Sequence, residues 1–391
     1  MPPRTSPRAP FPRLPPRAAP QRVLLVHPGA LGDFVQAFPA FGAARAGFDG
    51  SRLTLVTDAA LIGVARDTGL FDDVVGFDAA VAYRGGPAAR IRLLATLAAR
   101  ARRTRPDVAI LFKAAPVYAA LAAASGARWR AGLARGAGRA LLTHPLAVDP
   151  ARHREDRYLD VVAALGLDPE QQAAAAWPTR VDVVPHAARA SASPLVAIAP
   201  GGARNAKGEM PTRRWPAARF AALAAEIAAA YPGAGFVFLG GPGDRAEVDA
   251  VRDVLPQGRV VVDLAGRTDV AGARAAIAAA DVYVGNDSGL MHVAGTTHTP
   301  AVIAFGPTDP AVAAPRAARV RAVWDPGPGA PCHDEVTGAL RPCTSPTCCI
   351  ERVDVARMRA AVDAALAAGD RADDGGDRES AAEVLYRSPV A

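Results

Sequence analysis

A chain of 391 residues, half of them apolar, can bury more than one core, and this length points to two domains rather than one. Its 45 Lys plus Arg against 38 Asp plus Glu leave a net charge of +7, which favours an anionic ligand or surface without naming it. The long alanine stretches are broken by Arg or Asp, so no run of about 18 apolar residues reads as a bilayer span, and any membrane contact is expected to be peripheral.

The Pro/Arg-rich start, residues 1–21, lacks the apolar stretch of a signal peptide and holds too many prolines for a helix, so it reads as a disordered basic arm. From residue 22 onward, short Val/Leu/Ile runs alternate with alanine-rich amphipathic stretches. That alternation is the pattern of parallel strands buried between helices, and the expected fold class is α/β. In the first half strands are expected over 23–27, 53–57, 107–112 and 129–132, with helices such as 34–45 and 90–103 between them. Residues 177–194, with Pro178, Pro185 and Pro194, have no strong helical period and join the halves. In the second half strands are expected over 195–199, 236–240, 260–263, 281–285 and 301–305, with a helix over 217–230. A last amphipathic run, 353–368, ends at Gly369, and the segment 370–391 reads as a flexible tail. The organisation expected is two Rossmann-like, doubly wound domains, 22–180 and 190–369, with a cleft between them.

Chemistry-bearing residues gather where strands end. Asp281-Val-Tyr-Val-Gly-Asn-Asp-Ser-Gly-Leu-Met-His292 is an apolar strand running into a small polar turn that opens a helix, a geometry that aims backbone N–H groups at a phosphate. Pro300 to Pro310 repeats the plan, running into Gly306 and Thr308. Pro200-Gly-Gly-Ala-Arg-Asn-Ala-Lys207 follows a strand; Gly201 and Gly202 let backbone approach a ligand, and Lys207 or Arg213 is placed to neutralise a diphosphate. Gly240-Gly-Pro-Gly-Asp244 is a third glycine turn. Together these turns point to a nucleoside diphosphate site, although an Arg/Lys loop alone is by default a solvated loop and His292 alone by default a packing residue.

In the first half, Gly29, Gly32 and Asp33 lie at the end of the first strand. Asp33 reads either as a helix cap or as a general base toward a hydroxyl, and spacing does not choose between them. Gly29-x-x-Gly32 does not fit the dinucleotide fingerprint, which weakens a nicotinamide reading despite Asp58. All four cysteines, Cys332, Cys343, Cys348 and Cys349, fall in one stretch beside His333 but lack Cys-x2-Cys knuckles; zinc ligation, reduced thiols and a local disulfide all stay open.

Gly32-Asp33 with Pro39, the segment from Pro200-Gly201 to Arg214-Trp215-Pro216, Gly240 to Asp244, Gly285-Asn-Asp-Ser-Gly-Leu-Met-His292 and Phe305-Gly-Pro-Thr-Asp309 together resemble glycosyltransferase family 9, over about residues 23–368. The resemblance implies an inverting transferase of the GT-B fold, in the company of ADP-heptose:lipopolysaccharide heptosyltransferases. It implies that Asp33 is the catalytic base. It implies further that the donor is held by Asp287, Ser288 and Gly289, with Met291 and His292 shaping the helical turn, Thr212 and Gly241 in the loops and Asp244 toward the ribose. Where the family carries a Lys before the Trp-Pro element this chain has Arg213, with Lys207 the substitute candidate.

The expected partners are a nucleoside-diphosphate sugar, ADP-linked on the resemblance, and an anionic glycan or glycolipid acceptor, with peripheral inner-membrane contact and no nucleic acid. Lys113, Arg128, Arg130, Arg135 and Arg139 are the basic candidates for gripping that acceptor. No cofactor and no metal are expected, since no Asp-x-Asp clamp stands between the halves, and the location expected is the cytoplasm. Two other classes stay in view: a nucleotide-sugar epimerase of the same plan, and a non-catalytic sugar-nucleotide-binding protein.

Overall fold

The computed structural model describes residues 21–177, 183–317, 319–370 and 383–386. The basic arm, residues 1–20 of it, lies outside the described residues, as does most of the tail. The chain forms two compact units, one built on the first strand and Gln36–Ala176, the other on the chain from Trp177 onward together with Leu31–Val35.

The first unit is a six-stranded parallel sheet. Its strands are β1 Arg22–His27, β2 Arg52–Asp58, β3 Asp73–Phe77, β4 Val108–Leu111, β5 Trp129–Leu133 and β6 His144–Leu146, in the order β3-β2-β1-β4-β5-β6. Val23 to Val26 are buried in unbroken succession, as a central parallel strand covered on both faces requires. Behind β1, His27 sits in an aromatic cluster with Phe41, Phe112 and Tyr158, ring centroids 5.6, 6.1 and 5.9 Å away. The helix expected over 34–45 is two, Leu31–Gln36 and Phe38–Gly47. Pro39 has no N–H to give and fits only the first turn of a helix, so the chain breaks at Ala37 and restarts.

The second unit centres on β7 Leu195–Ala199. After a two-stranded hairpin, β8 Arg204–Asn205 and β9 Gly208–Glu209, come β10 Gly235–Phe238, β11 Val261–Asp263, β12 Val282–Asn286, β13 Ala301–Phe305, β14 Val320–Trp324 and β15 Glu383–Tyr386. The sheet order is β11-β10-β7-β12-β13-β14-β15, all parallel, so the chain reverses direction of winding at β7. Loops leaving β10, β7, β12 and β13 are therefore neighbours at one edge, the place where doubly wound sheets bind ligands. Beneath them Val196, Ile198, Phe236, Phe238, Val282, Val284 and Trp215 form a dry core.

Two readings are corrected. The joining segment holds a short helix, His186–Ser191. The tail 370–391 contributes β15, which pairs with β14 from Arg321 against Glu383 to Trp324 against Tyr386. The run Glu-Val-Leu-Tyr stands out against the polar residues before it and carried that signal.

Candidate functional site

Gly202 has φ +88°, a conformation L side chains rarely adopt, and a Cβ there would lie 2.8 Å from the Ser288 Cβ. Backbone shape and close approach thus both demand glycine, and they bring the loop after β7 onto the loop after β12. The Asp244 carboxylate ties the remaining glycine turns together. Its Oδ1 accepts from Gly202 N–H at 2.9 Å and from Arg204 at 2.5 Å, and its Oδ2 from Gly241 N–H at 2.8 Å. With both oxygens so occupied and the residue buried, Asp244 organises these loops.

Arg204 extends this network to Glu247 at 2.7 Å and Glu209 at 3.2 Å, and Arg214 bonds the same two carboxylates at 2.8 and 2.9 Å. The hydrogen bond to Glu247 raises the Arg204 pKa, burial opposing and the bonds to Asp244 and Glu209 reinforcing it, so the guanidinium stays cationic. Burial pushes the Glu247 carboxyl up, but hydrogen bonding and charge from Arg204 and Arg214 outweigh it and hold the group below the ordinary glutamate value.

Asn286, fully buried at the end of β12, is a residue that sequence reasoning passed over although it stands inside the quoted motif. Its amide donates to Pro200 O at 2.9 Å and Gly201 O at 3.0 Å, while its carbonyl accepts from Trp215 N–H at 2.8 Å. One side chain thus fixes the glycine loop and the Arg213-Arg214-Trp215 segment to the same strand end. Trp215 is anchored on its far side by its indole N–H, which donates to Val353 O at 2.7 Å.

This anchoring sets Arg213 3.3 Å from Asp287, in a pair whose side chains are 15% and 2% exposed. Asp287 and Ser288 immediately precede the helix Gly289–Ala294, whose Met291 and His292 are buried. The hydroxyls of Thr212 and Thr308 are buried with no hydrogen-bond partner among the described residues, and Thr212 packs its carbonyl against Gly306 so tightly that no Cβ would fit there. Lys207, by contrast, sits exposed at the β8–β9 turn. Of the two cations proposed for the diphosphate, Arg213 stands at the turn and Lys207 on a hairpin tip.

Asp33 is the third residue of the helix Leu31–Gln36, in its first turn and half-buried, so it is not the cap residue itself. A carboxylate there is favoured by the helix dipole. Leu31–Val35 belong to the second unit: a Cβ on Gly32 would lie 2.6 Å from the His292 ring, and one on Gly289 3.1 Å from Leu31. Gly32 is thus the small residue that lets the Asp33 turn lie against the helix of the Asp287-Ser288 loop.

Of the basic candidates in the first unit, Arg130 is committed to the carbonyls of Leu141 and Ala127 at 2.7 and 2.6 Å, and Arg128 stacks over Trp129. Arg135 and Arg139 are exposed, and Lys113 is half-buried just beyond β4. The four cysteines are free thiols, Cys332 and Cys349 buried. Burial pushes the Cys332 and Cys348 thiols up. Among the described residues no three His, Cys, Asp or Glu side chains are grouped to hold a metal ion.

Residues 95–340 match glycosyltransferase family 9 (heptosyltransferase), more than half of the chain. The chain belongs to glycosyltransferase family 9. The matched span takes in Arg213, Asn286 and the Asp287 to His292 turn; Asp33 lies ahead of it. Among curated relatives, this family 9 chain is 32% identical to lipooligosaccharide heptosyltransferase 2 of Haemophilus influenzae over 119 residues, 30% of this chain and 32% of that protein. It is also 32% identical to lipopolysaccharide heptosyltransferase 2 of Salmonella typhimurium over 135 residues, 34% and 37% of the two chains. The chain thus spans about a third of the length of the curated relatives it matches. Its fold is that of the E. coli ADP-heptose lps heptosyltransferase II, with TM-score 0.66 at 20% identity over 89% of this chain and 99% of that one. A glycosyl transferase family 9 structure from Veillonella parvula gives TM-score 0.64 at 24% identity, over 77% and 85%. The α/β class and the Rossmann-like units of the GT-B fold are those expected from the sequence.

Proposed function

We propose that this family 9 chain is an inverting glycosyltransferase that moves a sugar of the heptose class from a nucleoside diphosphate, ADP-linked, to a hydroxyl of a saccharide acceptor such as the lipopolysaccharide core. The observation that carries the reading is the largely buried Arg213–Asp287 pair just before the Gly289–Ala294 helix, with two buried hydroxyls that have no partner among the described residues, Thr212 beside Arg213 and Thr308 in the loop after β13. A diphosphate needs fixed donors and a compensating charge, and Thr212, Thr308, Ser288, Arg213 and the amide of Gly289 are of that kind. The ADP-heptose donor and the lipopolysaccharide acceptor are those in the names of the relatives.

In the reaction Asp33 takes the proton of the acceptor hydroxyl as its oxygen bonds to the anomeric carbon. The bond from that carbon to the diphosphate oxygen breaks on the opposite face, the electron pair leaving with the nucleoside diphosphate, and the configuration inverts. Arg213 stabilises the charge that develops on the leaving group, a stabilisation worth most where water is excluded. The Asp33 proton then passes to solvent. The reaction needs no cofactor beyond the nucleotide sugar, and transfer in the presence of a chelator should match transfer without it. The protein would work in the cytoplasm, at the inner face of the membrane that bears its acceptor.

The test is incubation with ADP-heptose, with and without a core acceptor truncated before its heptose. Release of ADP only when the acceptor is present, with an inverted linkage in the product, is the expected result. Isomerised sugar without acceptor would make the protein an epimerase, and absence of both would leave it a binding protein.

A further inference from the structure

The helix Pro87–Arg103 of the first unit takes no part in the chemistry above, yet its surface is unusual. Between Asp78 and Asp107 the sequence has no acidic residue and seven arginines, at 84, 90, 92, 100, 102, 103 and 105. Of this 17-residue helix only Leu97 and Ala101 are buried. Ile91 is 68% exposed, and Arg92, Arg100, Arg102 and Arg103 are exposed with it. Arg90 donates to the carbonyl of Tyr83, but among the described residues Arg92, Arg100, Arg102 and Arg103 have no carboxylate partner.

A helix face meant only for water interleaves acids with its bases, because like charges three and four residues apart repel. Here no acid is interleaved at all, and Arg100 and Arg103, three apart, stand unrelieved. At 100° per residue, positions eleven apart share a face, so Ile91 lines up with Arg102 and Arg92 with Arg103. Beside this stripe runs a groove of about 360 Å³ whose lining combines the apolar side chains Phe77, Val81, Leu93 and Leu97 with Arg92 and Arg100. Guanidiniums set next to apolar surface match a phase in which phosphate oxygens lie a few ångströms from hydrocarbon. That description fits a phospholipid surface, where exposed Ile91 has an apolar phase to enter, better than it fits nucleic acid: a single strand would ask for stacking rings that this helix lacks, and a duplex backbone offers nothing to the apolar side chains.

We infer that the helix Pro87–Arg103 docks the first unit on an anionic phospholipid membrane, with Arg92, Arg102 and Arg103 on the headgroup phosphates and Ile91 at the acyl boundary. The inference deepens the proposed function, since a lipid-borne acceptor is presented at such a surface, but its test requires no turnover. Full-length protein is co-sedimented with phosphatidylcholine vesicles, with and without phosphatidylglycerol, at low and high salt. Binding only to the anionic vesicles, weakened by salt, is expected. The variant Arg92→Ser/Arg102→Ser/Arg103→Ser should bind at least about tenfold more weakly, Ile91→Asp should weaken it too, and the corresponding Arg→Lys variant should bind like the parent, with thermal melting reporting that each is folded. Undiminished binding by the folded serine variant, equal binding to neutral vesicles, or preference for an RNA oligonucleotide over anionic vesicles would overturn the assignment. Anionic-vesicle binding by a protein that shows no transferase activity would defeat the proposed function while leaving the docking face intact.

Discussion

At the scale of single residues, Arg213 is the departure that matters most. A lysine offers a point charge and three mobile donors, whereas the Arg213 guanidinium is planar, always charged and already held 3.3 Å from Asp287. Arg213→Ala should weaken donor binding and slow transfer together, because in the proposed reaction the guanidinium would face charge present in the donor and growing in the transition state; a loss of about 2–4 kcal/mol in kcat/KM is expected from steady-state kinetics. Gly202→Ala meets both a left-handed backbone and the Ser288 side chain, so it should cost roughly 1–3 kcal/mol in chemical unfolding and blunt donor affinity. Glu247 gives a pH test. Its folded pKa lies below the ordinary value of 4.5, so its stabilisation is fully present above that pH and is lost as pH falls through the folded value. Melting curves of the parent and Glu247→Gln should therefore differ most near neutrality and converge in acid.

At the scale of elements, the second unit holds its loops with hydrogen bonds as much as with apolar packing. Asn286 serves three segments from a fully buried position, and Asn286→Ala strands two carbonyls and one N–H. The expected cost is roughly 2–4 kcal/mol of unfolding free energy, with donor binding lost as the Pro200 and Trp215 segments part. Elements with continuous apolar runs, such as Leu195–Ala199 and Ala301–Phe305, were legible because a buried parallel strand leaves no polar interruption. Asp73–Phe77 and His144–Leu146 were not, being half-exposed edgeward strands, the second only three residues long with Pro145 inside. Asn286 was passed over because its importance lies in contacts with residues 71 and more positions away, which no local pattern encodes.

At the scale of the whole molecule, the two sheets and the strand-end turns give a Rossmann-like arrangement twice over, and family 9 membership tells which chemistry to ask of it. Glycine turns at Gly201, Gly202 and Gly241 were legible as phosphate-friendly sequence; that Asp244 stitches them together follows only from the way Arg204 and two N–H groups converge on it. A thermal-shift comparison of ADP-, GDP-, UDP- and dTDP-sugars should single out the ADP-linked donor, with a stabilisation of about 2.7 kcal/mol at a hundred times its dissociation constant. Equal shifts from all four would remove the choice of base.

The most direct measurement is the transfer rate of Asp33→Asn alongside its affinity for donor. A carboxylate that takes the acceptor's proton cannot be replaced by an amide, so the rate should fall roughly 10²- to 10⁴-fold while donor affinity changes little. Turnover close to the parent's would contradict the account at its centre.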